Sequence, residues 1–103
     1  QLTGDEPGDV PSAVFLAQNW PNPFNPGTTI AFGLKERGHT SLRIYDAAGR
    51  LVARLVEETM PAGRHTMVWD GRDRNEAPAA SGVYFSRLVA GEFAQTRKMI
   101  LIR

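Results

Sequence analysis

The groups in this chain that could do chemistry are few: two histidines, four serines and an oxygen-rich loop, Asp70-Gly71-Arg72-Asp73-Arg74-Asn75-Glu76. Nucleophilic catalysis needs an activated side chain. There is no cysteine, and Ser12, Ser41, Ser81 and Ser86 show no G-x-S-x-G elbow. General acid–base work favours a positioned histidine, but His39 sits in a glycine-containing turn and His65 on an apolar strand face. Asp70 and Asp73 approach the spacing of a glycosidase carboxylate pair, yet a loop on a small β body offers no evident cleft. Two lone histidines do not give the three ligands of a zinc centre. The loop is better suited to calcium, since Asp70, Asp73 and Asn75 offer hard oxygens. Against that, the spacing is not Asp-x-Asp-x-Asp-Gly, and Arg72 and Arg74 put positive charge beside any cation. The competing reading is that Asp70 and Asp73 accept backbone hydrogen bonds and shape a turn. The expectation is a chain with no catalytic residue, no metal and no cofactor, and not an enzyme.

Aromatic side chains raise a second chemistry, the stacking of sugar rings. Trp20, Phe24, Tyr45, Trp69 and Phe85 are candidates. Trp69 falls at an inward position of its strand, and Trp20 and Phe24 flank prolines, so anchoring roles are expected. His65 is expected at the core rim with its ring beside Trp69. Tyr84, just after Ser81-Gly82, occupies the place of a tyrosine corner, whose hydroxyl ties a strand to a neighbouring loop.

Period-two alternation organises the rest. Ala13–Gln18 reads as a short edge strand carrying Val14, Phe15 and Leu16. Thr28–Leu34 places Ile30, Phe32 and Leu34 on one face, and Thr40–Asp46 does the same with Leu42 and Ile44. Asp46-Ala47-Ala48-Gly49-Arg50 is a tight turn. Leu51–Glu57 is apolar on both faces, so its register is open; Gly49, Val52 and Val56 argue against a helix there. Thr59–Gly63 is a turn, and Arg64–Asp70 turns His65, Met67 and Trp69 one way. Gly71–Ala80 is a polar loop, Gly82–Ala90 points Tyr84 and Leu88 inward, and Phe93–Ile102 is the final strand. About seven short strands without a helix predict an all-β chain. The expected fold is an antiparallel β-sandwich of immunoglobulin or fibronectin III kind.

Residues 1–13 contain Asp5, Glu6 and Asp9 and no basic residue. They read as a flexible acidic linker ahead of one sandwich domain, residues 14–103. A formal net charge of +1 gives no nucleic-acid footprint. Without cysteine, packing alone must hold the domain. No apolar run reaches the ~18 residues of a transmembrane helix, and no leader peptide is visible. For an exported protein, the leader would lie further upstream.

Between linker and body runs Asn19-Trp20-Pro21-Asn22-Pro23-Phe24-Asn25-Pro26-Gly27. Its prolines cannot sit in a central strand, because each lacks a ladder donor. The segment reads as a rigid, extended lead-in, pinned by Trp20 and Phe24. After Asn22-Pro23-Phe24-Asn25-Pro26 come Leu42-Arg43-Ile44-Tyr45-Asp46, Ala48-Gly49-Arg50, Pro61-Ala62-Gly63-Arg64-His65 and Trp69-Asp70-Gly71-Arg72-Asp73. Ala80-Ser81-Gly82-Val83-Tyr84 and Arg97-Lys98-Met99-Ile100-Leu101 complete the series. In that order and spacing the chain resembles the C-terminal immunoglobulin-like sorting domain of type IX (Por) secretion cargo. That family is similar in turn to the immunoglobulin-like domain of the flagellar hook-capping protein.

The resemblance implies a non-catalytic module of a larger exported bacterial protein, passing through the periplasm to the cell surface or beyond. Its implied partners are an outer-membrane translocon and a sorting protease, which would cut between Gly4 and Ala13. The implied recognition segment is Arg97, Lys98, Met99, Ile100, Leu101, Ile102 and Arg103. Met99 and Leu101 are expected in the core; Ile100 and Ile102 fall on the other face, where a partner would meet them. Two other roles fit the same fold: a carbohydrate-binding or adhesive accessory module, and a structural spacer as in flagellar hook assembly.

Overall fold

The structure is a computed structural model that describes residues 10–103. The expected linker and its cleavage site fall largely on residues 1–9, outside the described residues. Seven strands follow in order: β1 (Phe15–Leu16), β2 (Thr28–Leu34), β3 (Gly38–Asp46), β4 (Leu51–Met60), β5 (Gly63–Trp69), β6 (Gly82–Ala90) and β7 (Phe93–Leu101). They form two antiparallel sheets, β1-β2-β5 and β4-β3-β6-β7, as the alternating pattern predicts. Between them lies one core built from the inward residue of each alternating pair. Ile30, Phe32 and Leu34 of β2 meet Leu42 and Ile44 of β3, Tyr84 and Leu88 of β6, and Met99 and Leu101 of β7.

Several boundaries differ from expectation. β3 begins at Gly38, so His39 is a strand residue and not part of a turn. β4 extends through Met60, and the turn after it shrinks to Pro61-Ala62. The two-sided apolar character of β4 has a physical cause. Its register against β3 slips between Val56 and Arg54 and again between Ala53 and Leu51, leaving Leu55 and Val52 as extra residues. These bulges twist the strand, and Val52, Ala53 and Val56 are all buried.

The lead-in also differs: it bends through residues 21–23 and 25–26 and is not extended. Trp20 exchanges two backbone hydrogen bonds of 2.9 Å with Thr29. Its indole, expected as an anchor, is 78% exposed, whereas the Phe24 ring is 2% exposed. The chain geometry holds Trp20 by its backbone and leaves its side chain outside.

Candidate recognition surface

The expected recognition segment, Arg97 to Arg103, takes in the second half of β7 and the two residues after it, and β7 is an edge strand of the larger sheet. An edge strand presents unpaired N–H and C=O groups, so what covers them decides what a partner meets. Here the lead-in covers them. The Phe24 amide donates to the Ile100 carbonyl at 3.0 Å, and the Ile102 amide donates to the Phe24 carbonyl at 2.9 Å, a parallel bridge to Leu101. The Ile100 amide donates to Asn22 Oδ1 at 2.9 Å, and Gln18 Nε2 donates to the Lys98 carbonyl at 2.7 Å. Further along, Arg97 Nε donates to the Leu16 carbonyl at 2.9 Å, and the Leu16 amide donates to Gln95 Oε1 at 3.2 Å. Residues near the start of the domain thus stitch β7 to the small sheet.

A buried polar knot shapes this lead-in. Asn19, 3% exposed, donates through Nδ2 to Thr28 Oγ1 at 3.0 Å and to the Pro21 carbonyl at 3.1 Å. Its Oδ1 accepts from Gln18 Nε2 at 2.7 Å, and Thr28 Oγ1 donates to the same Pro21 carbonyl at 2.8 Å. Buried polar groups persist when their hydrogen bonds are met, and Asn19 meets them while steering the chain into its bend.

The other motif residues gather at the same end of the sandwich. Phe24 packs on Trp69 at 5.6 Å between ring centroids, and Trp69 packs edge-on to Tyr84 at 5.3 Å. Trp69 Nε1 donates to the Arg72 carbonyl at 2.9 Å, and the Tyr84 hydroxyl donates to the Ala80 carbonyl at 2.6 Å. Burial pushes the Tyr84 phenol above its ordinary pKa. Gly71, at φ +79°, lies under the Pro26 carbonyl, where a Cβ would come within 2.7 Å of that oxygen. Gly82 has φ +155° and open space beside it.

The basic residues of the segment divide by role. Arg97 faces the seam with β1. Arg103 folds back: its amide donates to Ser81 Oγ at 2.9 Å, and its guanidinium donates to the carbonyls of Ala79 and Gly71. Lys98 remains exposed, and Ile102 is 51% exposed. Met99 and Leu101 are in the core, and Ile100 is half-buried.

The Asp70 and Asp73 carboxylates shape the loop backbone. Asp70 Oδ1 accepts from the Arg72 amide at 3.0 Å, and Asp73 Oδ1 accepts from the Asn75 and Ala77 amides at 2.8 and 3.0 Å. Among the described residues no three histidine or acidic side chains form a metal-holding group. His65 packs on Phe32 at 5.3 Å, not on Trp69, and its Nε2 lies 2.8 Å from the Pro61 carbonyl. Elsewhere, Glu57 gathers Arg43 at 2.8 Å and His39 at 3.1 Å, and these hydrogen bonds, that of Arg43 foremost, hold its carboxyl below the usual range. Asp46 is held low chiefly by the Arg50 backbone amide, with help from the Arg50 side chain and the Ala48 amide.

Sequence reasoning singled out both the proline-rich motif and the last strand, but not their union. The side-chain roles of Gln18, Asn19 and Gln95 were missed. The only signal was amide-bearing residues beside strands whose edges needed partners.

A family model for the FlgD Ig-like domain matches residues 19–92. No curated protein matches the chain in sequence. Among solved structures, dimeric latent PorU from Porphyromonas gingivalis superposes with a TM-score of 0.66 at 22% identity, covering 86% of this chain and 9% of PorU. PorZ, an essential surface component of the type IX secretion system of the same organism, gives 0.58 at 24% identity, covering 98% of this chain and 13% of PorZ. FlgD from Xanthomonas campestris, described in terms of hook capping and flagellar assembly, gives 0.56 at 24% identity, with 88% and 63% covered. These likenesses carry the fold, and this chain spans only part of each protein.

Proposed function

The chain belongs to the FlgD Ig-like domain family, and on that footing we propose that it is a sorting module of a larger exported bacterial protein, read by the outer-membrane secretion machinery. It does no chemistry itself. Its partners are a translocon and a sorting protease, its parent travels through the periplasm to the cell surface, and residues 1–13 serve as its linker. The observation that carries this reading is the knit between lead-in and β7. The proline-rich lead-in and the last strand, both singled out in the sequence, form one folded unit through Phe24, Asn22 and Gln18. Fold likeness to PorU and PorZ supports it.

With the edge of β7 closed by the lead-in, recognition rests on side chains that remain outside, Ile102 and Lys98 among the expected segment. The test is a reporter fused ahead of residues 1–103 in a bacterium with a type IX system. Export of the fusion, and its reduction by a folded Ile102→Asp variant, is the expected result. An intact, folded fusion that stays in the periplasm overturns the reading.

A further inference from the structure

On the outer face of the four-stranded sheet the register sets three arginines in a row. Arg54 of β4 lies opposite Arg43 of β3, and Arg43 lies opposite Arg87 of β6. Neighbouring strands are about 4.8 Å apart, and like charges directly opposite destabilise a sheet. The adjacent row runs Leu51, Tyr45, Phe85 and Lys98, which adds a fourth cation. Among the described residues the carboxylate paired with them is that of Glu57, committed to Arg43 and His39. Among the described residues no ion pair reaches Arg54, Arg87 or Lys98. A depression of about 300 Å³ beside the row is lined by Ser41, Arg43, Tyr45, Glu57, Arg87 and Val89. The fold tolerates a repulsive row in the middle of its larger sheet, where stability alone favours alternating charge.

We infer that this face binds an acidic polysaccharide, its carboxylates taken by Arg54 and Arg87, with Arg43 between them held on Glu57, and its sugar rings laid along the Tyr45 side of the row. Guanidinium groups grip carboxylates in a two-point, planar geometry. Arg54 and Arg87 stand two strands apart, about 9.6 Å, comparable with two sugar units, so alternate uronic acids reach the two arginines. The half-buried Tyr45 ring gives a pyranose an apolar floor.

The alternatives fit less well. β3 and β6 are interior strands whose backbone groups are spent on their neighbours, so a docked acidic peptide would find no partners for its amides. Single-stranded nucleic acid needs open aromatic platforms. Tyr45 and Phe85 are half-buried, and the exposed Trp20 belongs to the other sheet.

The experiment is native affinity electrophoresis of the 103-residue chain in gels containing polygalacturonate, with dextran, polyglutamate and single-stranded DNA as comparisons. Retardation by polygalacturonate at low salt is expected, falling as salt screens the contact, and absent with dextran. Arg87→Gln and Arg54→Gln should each weaken retention about tenfold, the loss of one charge-assisted hydrogen bond. Their unfolding midpoints should stay level or rise, because each relieves repulsion. No retardation by polygalacturonate overturns the inference, as does equal retardation by polyglutamate or DNA. So does either variant losing stability while keeping its retention. None of these measurements depends on export.

Discussion

Asn22 Oδ1 caps the backbone amide of Ile100 at 2.9 Å across 78 residues of sequence, on the otherwise open side of β7. Asn22→Ala uncovers a strand edge without disturbing the core, since the side chain is exposed. The expected loss is about 0.5–1.5 kcal/mol, read by urea denaturation, with faster hydrogen exchange at Ile100. Phe24→Ala removes the buried ring beside Trp69 and should cost about 3–5 kcal/mol. If the two variants lose the same stability, the lead-in is not held chiefly by its phenyl ring.

Ser86 predicts a change of opposite sign. It is fully buried on β6, and its Oγ finds no hydrogen-bond partner among the described residues. A desolvated hydroxyl without a partner costs about 1–3 kcal/mol, so Ser86→Ala should raise the thermal midpoint. A drop in midpoint would show that the hydroxyl is satisfied in solution.

Gly71 has a left-handed backbone and the Pro26 carbonyl directly above it. Gly71→Ala therefore adds both backbone strain and a clash with a backbone atom, a loss of about 1–3 kcal/mol. Gly82→Ala meets backbone strain at φ +155° but open space around its Cβ, so without the clash it should cost less. Chemical denaturation of the two variants side by side ranks them.

Acid should weaken the fold through Glu57 and Asp46. Both carboxyls are held below their ordinary pKa values of 4.5 and 3.8 in the folded chain, by Arg43 and His39 and by the Arg50 and Ala48 groups respectively. A depressed carboxylate stabilises the fold above its unfolded pKa, and that support is lost as pH falls through the folded value. Stability should be level near neutrality and decline below about pH 4.5. In Glu57→Gln the decline should be shallower.

The alternation of β2, β3 and β6 was readable because each buries one face only, so Ile30, Phe32, Leu42, Ile44, Tyr84 and Leu88 fell where expected. β4 blurred that signal because two bulges turn neighbouring residues inward. The lead-in was legible as a motif and not as a shape: its path depends on the Asn19 knot and on partners in β7, about which local spacing is silent. Trp20 was misread for the same reason, since a proline neighbour does not reveal which way a ring points. The arginine row was hidden because Arg43, Arg54 and Arg87 become neighbours only once strand register is fixed.

The stitching of residues 16–24 to residues 95–102 also constrains how the molecule comes into being. Contacts so distant along the chain make folding slow, and a ribosome releases the first partner long before the second exists. During synthesis the Asn22 and Phe24 contacts of the proline-rich segment therefore wait until the closing strand arrives. The window in which the nascent polypeptide stays threadable ends only when both halves of that clasp are present.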